Sequence, residues 1–128
     1  MKEFHAGERY NRKQKGAAAE EAAVQYLSSH GYSIVERNWR CRSGELDIIA
    51  ECEGDLIFFE VRSRSRGLLQ GSPEESVDAR KIHQVRSTAG VYLHMKGHEE
   101  RRISFDVITV WLNDDLSIAS LGHIREAF

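Results

Sequence analysis

Apolar residues recur at helical spacing near the start of the chain. An alanine-rich stretch favours helix formation, and the periodicity predicts a helix over residues 15–29, closed by the glycine of His30-Gly31. Residues 1–14 are polar and basic and are predicted to form a flexible arm. The acid Glu20 shares the apolar face of the predicted helix, so its carboxylate is expected to point towards the protein. The residues that define this face are Glu20, Ala23, Val24 and Leu27.

Apolar and β-branched runs later in the chain predict five strands and a second helix. Ser72-Pro73-Glu74-Glu75 combines an N-cap, a proline at the first helical position and a capping-box glutamate, which predicts a helix from there to about residue 95. Residues 15–128 are therefore expected to form a single α/β domain, a mixed sheet of about five strands flanked by helices. The strands are predicted at residues 32–40, 46–50, 56–61, 103–112 and 116–121.

The two middle runs flank Glu53-Gly54, and a two-residue loop ending in glycine is typical of a β-hairpin. With this loop, Asp47 faces Glu60 across the strand pair. Facing Cβ atoms lie about 4.5–5.5 Å apart, and like charges at that distance destabilise the sheet. A hard divalent cation between the two carboxylates would account for the arrangement.

Strand alternation places Arg62 on the same face as Glu60. We expect the first helix to pack on that face and to bring Glu20 to it. Three carboxylates and one permanent cation would then converge. Such a group suits phosphodiester hydrolysis, since carboxylates hold Mg²⁺ or Mn²⁺, the metal activates water and the cation stabilises the developing negative charge. The alternative is that Asp47 and Glu60 form ordinary ion pairs with Arg62 or Arg64.

Composition indicates an ordinary globular protein. The 128 residues are 41% hydrophobic and 30% charged, no run approaches the length of a membrane span, and the start of the chain lacks the apolar stretch of a secretory signal. Together with only two cysteines, this predicts a cytoplasmic protein with free thiols and no membrane association.

Charge is distributed unevenly. The net charge of −2 argues mildly against a protein that binds nucleic acid over its whole surface, yet arginines precede and follow the predicted hairpin. Such cations would hold a polyanion beside the acids; the alternative is that arginine-rich loops are simply well solvated, and Lys81 equally suits a solvated helix face. The candidate nucleic-acid-binding residues are Arg40, Arg42, Arg64, Arg66 and Lys81.

The spacing Asp47…Glu60-Val61-Arg62 is similar to that of PD-(D/E)xK, or restriction-endonuclease-like, nucleases. More closely, the chain resembles the bacterial YraN family, which is grouped with Holliday-junction-resolvase-like nucleases. The resemblance implies a restriction-endonuclease-like fold, with Asp47 and Glu60 as metal ligands, Glu20 near the metal and the Val61 carbonyl as a further ligand. The matching segments are Glu20-Glu21-Ala22-Ala23, Arg37-Asn38-Trp39-Arg40, Gly44-Glu45-Leu46-Asp47-Ile48-Ile49-Ala50, Phe59-Glu60-Val61-Arg62 and Phe105-Asp106-Val107.

Arg62 departs from the family, which usually has lysine at this position, and Ala19 stands where the family tends to have glycine. A guanidinium keeps the charge but is planar and essentially never deprotonated. The sequence therefore predicts a metal-dependent nuclease-fold protein acting on DNA, with branched or repair intermediates as one substrate class. The alternatives are a nucleic-acid-binding module with a degenerate site and a scaffold with structural acids. A homodimer would suit two-fold DNA substrates.

Asp106 and the pair His94 and His98 are interpreted as structural or surface residues and not as site residues. Asp106 alternates with the apolar residues of its strand, which favours a structural hydrogen bond or salt bridge over catalysis. His94 and His98 have helical metal-ligand spacing, but Gly97 lies between them near a predicted helix end, so a surface pair is expected rather than a zinc site.

Overall fold

The computed structural model describes residues 10–65 and 77–128. Most of the predicted arm, the candidate Arg66 and the Ser72-Pro73 segment lie outside these ranges. The described residues form two helices and five strands. In chain order these are α1 (Arg12–Ser29), β1 (Ser33–Cys41), β2 (Gly44–Cys52), β3 (Asp55–Ser65), α2 (Ala79–Lys96), β4 (Ile103–Leu112) and β5 (Ile118–Ile124).

The strands form one sheet in the order β1-β2-β3-β4-β5. Neighbouring strands are antiparallel except for β3 and β4, which are parallel. Parallel neighbours need a long crossover connection, and α2 lies in that connection. The prediction of an α/β fold with a five-stranded mixed sheet is confirmed.

The central hairpin has the predicted turn and register. Glu53 and Gly54 both have positive φ, 51° and 90°, as a two-residue turn of the type that matches strand twist requires. Cys52 pairs with Asp55, and the ladder continues in the same register up to the facing pair Ile48 and Phe59. Asp47 and Glu60 are therefore the next residues along the two strands.

Both helices begin elsewhere than predicted. The first starts at Arg12, because Asn11 and Gln14 form a reciprocal capping box in which each side chain accepts a hydrogen bond from the other residue's backbone N–H. The second starts at Ala79, because the N-cap Asp78 accepts a 2.9 Å hydrogen bond from the Lys81 N–H. The prediction that this helix already runs through residues 77 and 78 is wrong.

Strand β5 also begins later than predicted. Leu116 has a φ of 71° and donates its N–H to the Asn113 carbonyl at 2.9 Å, so it belongs to the turn after β4. The strand then extends to Ile124. No helix in the described part of the chain is both long and apolar enough to cross a membrane.

The two helices cover opposite faces of the sheet. Helix α1 packs on the face that carries Phe59, and helix α2 packs on the face that carries Phe58. Since successive side chains of a strand point to opposite faces, Glu60 lies on the α2 face. The expectation that the first helix packs on the Glu60 face is therefore wrong, because an apolar helix stripe does not specify which face of the sheet it covers.

Candidate functional site

Asp47 ends the pairing of β2 with β3. Its Oδ2 accepts a 2.8 Å hydrogen bond from the backbone N–H of Val61, directly after the last ladder pair, Ile48 and Phe59. A side-chain carboxylate thus takes the place of a strand carbonyl. This bond fixes the position of the Asp47 carboxylate beside Glu60, which is only 8% exposed. We call Asp47 and Glu60 the acidic pair.

The acidic pair is electrostatically unfavourable by itself. Burial, reinforced by the charge of Glu60, raises the pKa of Asp47 to about 7, although the Val61 N–H and the Lys81 ammonium act in the opposite direction. Burial likewise raises the pKa of Glu60, against the opposing effects of Lys81, Arg62 and a hydrogen bond with Asp47. Near neutral pH the pair therefore tends to retain a proton, which a divalent cation would replace.

Two cations lie next to the acidic pair. The Lys81 Nζ is 3.6 Å from Glu60 Oε2, with the lysine side chain 37% exposed. Arg62 interacts electrostatically with Glu60, Asp47 and the N-cap Asp78, while burial and the charge of Arg64 lower its pKa. The acids and both cations thus converge on the α2 face of the sheet, beside the first turn of α2.

Glu20 lies elsewhere. It belongs to α1, and its Oε2 accepts hydrogen bonds from Arg37 Nε at 3.0 Å and Asn38 Nδ2 at 2.9 Å. Within residues 10–65 and 77–128, no three His, Cys, Asp or Glu side chains are grouped so as to hold a metal ion. The structure therefore does not bring Glu20 together with the acidic pair. Asn38 has a φ of 54°, and no sequence signal pointed to its role as a Glu20 partner.

The two carboxylates of the acidic pair would nevertheless suit a magnesium ion. Mg²⁺ is usually bound through one or two carboxylates, with waters and substrate phosphate oxygens completing its shell. Thr109 adds a polar atom to this region, because it is fully buried, faces Arg62 in the parallel ladder, and its hydroxyl has no hydrogen-bond partner among the described residues. The metal would be held by Asp47 and Glu60.

The candidate nucleic-acid-binding residues are spread over more than one surface. Arg40 is 75% exposed and pairs with Glu45 at 3.4 Å, and Arg42 is exposed on the β1–β2 turn. Arg64 follows the site on β3 and donates to the Ser63 carbonyl at 3.4 Å. Lys15, which is not among these candidates, has its Nζ 3.5 Å from Ser65 Oγ and so adds a cation at the end of β3.

A buried chain of polar groups lies on the α1 face. Asp106 Oδ2 is 2.8 Å from His123 Nε2, and His123 Nδ1 is 2.8 Å from the Tyr26 hydroxyl. The other Asp106 oxygen accepts the Glu126 N–H at 3.0 Å. The prediction that Asp106 makes a hydrogen bond is confirmed. Its contact with His123, and that of His123 with Tyr26, were missed, because single residues far apart in sequence give no joint signal.

His94 behaves as a surface residue. Its Nδ1 lies 2.9 Å from Glu99 Oε2, and the two side chains are 78% and 60% exposed. Cys41 and Cys52 are free, as predicted.

Comparison with known proteins gives one family. Residues 19–110 match the uncharacterised protein family UPF0102. A UPF0102 protein of Desulforamulus reducens is 48% identical over 119 residues, covering 91% of this chain and 96% of the relative. Another from Moorella thermoacetica is 42% identical over 117 residues, covering 91% and 97%.

Solved structures give weaker matches. A repair endonuclease from Pyrococcus abyssi superposes with a TM-score of 0.43 at 13% identity, covering 83% of this chain and 39% of that one. Pyrococcus furiosus SfsA in complex with Ca²⁺ superposes with a TM-score of 0.40 at 14% identity, covering 90% and 64%.

Proposed function

The chain belongs to the uncharacterised protein family UPF0102, the family that its motifs resemble, and we propose that it is a divalent-metal-dependent nuclease that hydrolyses phosphodiester bonds in DNA. The observation that supports this proposal is the acidic pair. Burial penalises the charged forms of these two adjacent carboxylates, and the charge of Glu60 adds to the penalty at Asp47. A Mg²⁺ or Mn²⁺ ion between them would offset that penalty.

Each residue of the site has a defined part in this proposal. Asp47 and Glu60 hold the metal, which when bound lowers the pKa of a coordinated water. The Val61 N–H keeps the Asp47 carboxylate in place, and the Val61 carbonyl is a further candidate ligand. Arg62 supplies a permanent positive charge for the phosphate oxygens. Because Glu20 pairs with Arg37 and Asn38, it is not placed in the metal site.

DNA is the proposed substrate because cations lie close to the acids on the α2 face. Arg62 and Arg64 follow Glu60 on the same face of β3, and Lys81 approaches from α2. Lys15 adds a cation at the end of β3 from the α1 side. Lysine and arginine side chains arranged in this way bind phosphodiester backbones irrespective of base sequence. Branched DNA or repair intermediates are the proposed substrate class, and a homodimer would match their two-fold symmetry.

The test is cleavage of end-labelled single-stranded, duplex and four-way-junction DNA in Mn²⁺. Asp47→Asn is the matched control, because an asparagine carbonyl can still accept the Val61 N–H. We expect the wild type to cut at least one substrate and Asp47→Asn to cut none. Equal rates for the two proteins would show that the acidic pair does not carry the activity.

Arg62 favours a second candidate function, a nucleic-acid-binding module that has lost efficient hydrolysis. A guanidinium cannot replace a small ammonium that orients water. In this case the wild type would bind DNA with strong salt dependence and would cut none of the three substrates in Mg²⁺ or in Mn²⁺. Gain of cleavage in Arg62→Lys would then identify the lost element.

A further inference from the structure

The first turn of α2 delivers a second cation to the acidic pair. Asp78 caps the helix by accepting the Lys81 N–H at 2.9 Å, which fixes the backbone of Lys81 in the first turn. From there the Nζ reaches to 3.6 Å from Glu60 Oε2. The ion pair joins a lysine that is 37% exposed to a glutamate side chain that is 9% exposed, so the ammonium lies between the acid and solvent.

The chemistry of Lys81 differs from that of Arg62. A lysine ammonium is a compact charge with three donors on a flexible stem, whereas a guanidinium is a planar fork. Arg62 is part of β3 and interacts electrostatically with Arg64, Glu60 and Asp47. Lys81 is on the first turn of a helix with a side chain that is 37% exposed, and its flexible stem can move the ammonium without any change in the backbone.

We propose that Lys81 contacts the scissile phosphate group, its ammonium donating to a non-bridging oxygen that lies next to the metal held by Asp47 and Glu60. This inference rests on the proposed nuclease function. In the free protein the same ammonium compensates Glu60. When the metal takes over that compensation, the ammonium becomes available to the substrate. The site thus obtains its small cation from α2 and not from the strand position occupied by Arg62.

Removal of the Lys81 charge should have opposite effects on metal binding and on cleavage. A cation beside Glu60 competes with a metal ion for the carboxylate, so its removal strengthens metal binding. The same removal takes a donor from the phosphate in the transition state. A lysine that only fastened α2 to the sheet would not produce this combination, because loosening the helix would weaken both properties.

The test compares Lys81→Met, which keeps the length of the side chain without its charge, with Lys81→Arg and with Arg80→Met. Arg80 is exposed in the same helical turn and has no part in the acidic pair, so Arg80→Met controls for the loss of one positive charge. Calorimetric titration of Mn²⁺ and single-turnover DNA cleavage at saturating enzyme are measured for each variant, with thermal unfolding to verify the fold.

We expect Lys81→Met to bind Mn²⁺ several-fold more tightly than the wild type and to cleave roughly 100-fold more slowly. Lys81→Arg should fold like the wild type and retain intermediate activity, and Arg80→Met should change cleavage by less than about threefold. Cleavage by Lys81→Met equal to that of Arg80→Met would overturn the role of Lys81 and leave the nuclease proposal intact.

DNA binding in Ca²⁺, which fills a carboxylate site without supporting turnover, separates the two proposals. If the wild type cuts no DNA, the nuclease proposal fails. The Lys81 contact with phosphate then stands on one result. In Ca²⁺, but not in its absence, Lys81→Met lowers the slope of log Kd against log salt by about one. A slope that is unchanged in Lys81→Met, or a wild type that binds no DNA, overturns the contact.

Discussion

The backbone N–H of Val61 donates a 2.8 Å hydrogen bond to Asp47 Oδ2 at the point where the β2–β3 ladder ends. A carboxylate that takes the place of a strand carbonyl is held more rigidly than a side chain on a regular strand, and it is held against Glu60. The position of Asp47 therefore depends on the hairpin register, and its electrostatic properties depend on burial and on Glu60. Because the position and the electrostatic properties of Asp47 have different causes, its charge can be removed without moving the side chain.

Asp47→Asn should make the metal-free protein more stable at pH 8. The folded-state pKa of Asp47 is raised to about 7, above the usual value of an unfolded aspartate. The contribution of Asp47 to the stability of the folded protein is therefore fully present below about pH 4 and is lost as the pH rises through about 7. Asparagine has no proton to lose and still accepts the Val61 N–H, so the variant should gain about 1–3 kcal/mol at pH 8 and little at pH 4.

The measurement is urea unfolding of both proteins in EDTA at pH 4, 6 and 8. Glu51→Gln is a suitable control, because Glu51 lies on the same strand but pairs with Arg101 at 3.0 Å and has no part in the acidic pair. Parallel pH profiles for the wild type and Asp47→Asn would show that Asp47 titrates normally.

Metal binding to the wild type should strengthen between pH 6 and pH 8. The proton that the acidic pair retains near neutral pH must leave before two carboxylates can bind one cation. We expect Mn²⁺ titrations in two buffers of different ionisation enthalpy to show release of up to one proton at pH 6 and less at pH 8. Mn²⁺ should also raise the Tm of the wild type but not that of Asp47→Asn. A pH-independent affinity would place the metal elsewhere.

Much of this site could be predicted from the sequence because a local feature determines it. The Glu53-Gly54 turn sets the hairpin register, and the register places Asp47 beside Glu60. The face covered by α1 could not be predicted in this way. The periodicity around Glu20 shows that one side of the helix is apolar, but the face it covers depends on packing between elements far apart in sequence.

The start of α2 illustrates a second limit. The sequence predicted a helix start at Ser72-Pro73, whereas the N-cap of α2 in the structure is Asp78. That position matters for the site, because it brings Lys81 into the first turn and its ammonium to Glu60. The sequence pointed to Lys81 as a candidate for phosphate contact, but the ion pair with Glu60 could not be predicted from any spacing.

Glu20→Gln should leave Mn²⁺ affinity within about twofold of the wild type, because α1 covers the opposite face from Glu60. The change should instead weaken the contacts with Arg37 and Asn38 and lower the free energy of unfolding by about 1 kcal/mol. Arg37→Gln removes the ionic part of the same contact and should have a similar effect on stability. Calorimetry with Mn²⁺ and urea unfolding provide both readouts. A tenfold loss of Mn²⁺ affinity in Glu20→Gln alone would place Glu20 in the metal shell.

Arg62→Lys should raise the rate of DNA cleavage by about tenfold or more, since an ammonium can approach a metal-bound water that the planar guanidinium cannot orient. Arg62→Gln removes the charge and should lower the rate below that of the wild type. Both are compared by single-turnover cleavage of the best DNA substrate in Mn²⁺. If Arg62→Lys and Arg62→Gln are equally impaired, the guanidinium itself is the group that the site requires.

Gly44→Ala should destabilise the fold and disturb the placement of Lys81. Gly44 has a φ of 150°, and a Cβ there would lie 3.0 Å from both Gln84 Nε2 and Thr88 Oγ1 of α2. Positive φ and close approach of a helix each favour glycine, so the substitution should cost about 1–3 kcal/mol. Gly16→Ala is the matched control, because a Cβ at this position in α1 has no atom within 4 Å and should stabilise the helix by about 0.5–1 kcal/mol.

Urea unfolding should therefore show a lower free energy of unfolding for Gly44→Ala and a higher one for Gly16→Ala. Because α2 rests on Gly44 and carries Lys81, Gly44→Ala should also slow DNA cleavage at temperatures where the protein remains folded, whereas Gly16→Ala should leave it unchanged. A stable Gly44→Ala protein would mean that both neighbours move at little cost. These are Gln84, which is exposed and has its Nε2 3.4 Å from the Ser43 carbonyl, and Thr88, which is fully buried. The seating of α2 would then depend on its apolar contacts, chiefly those of Val85, Ala89 and Tyr92.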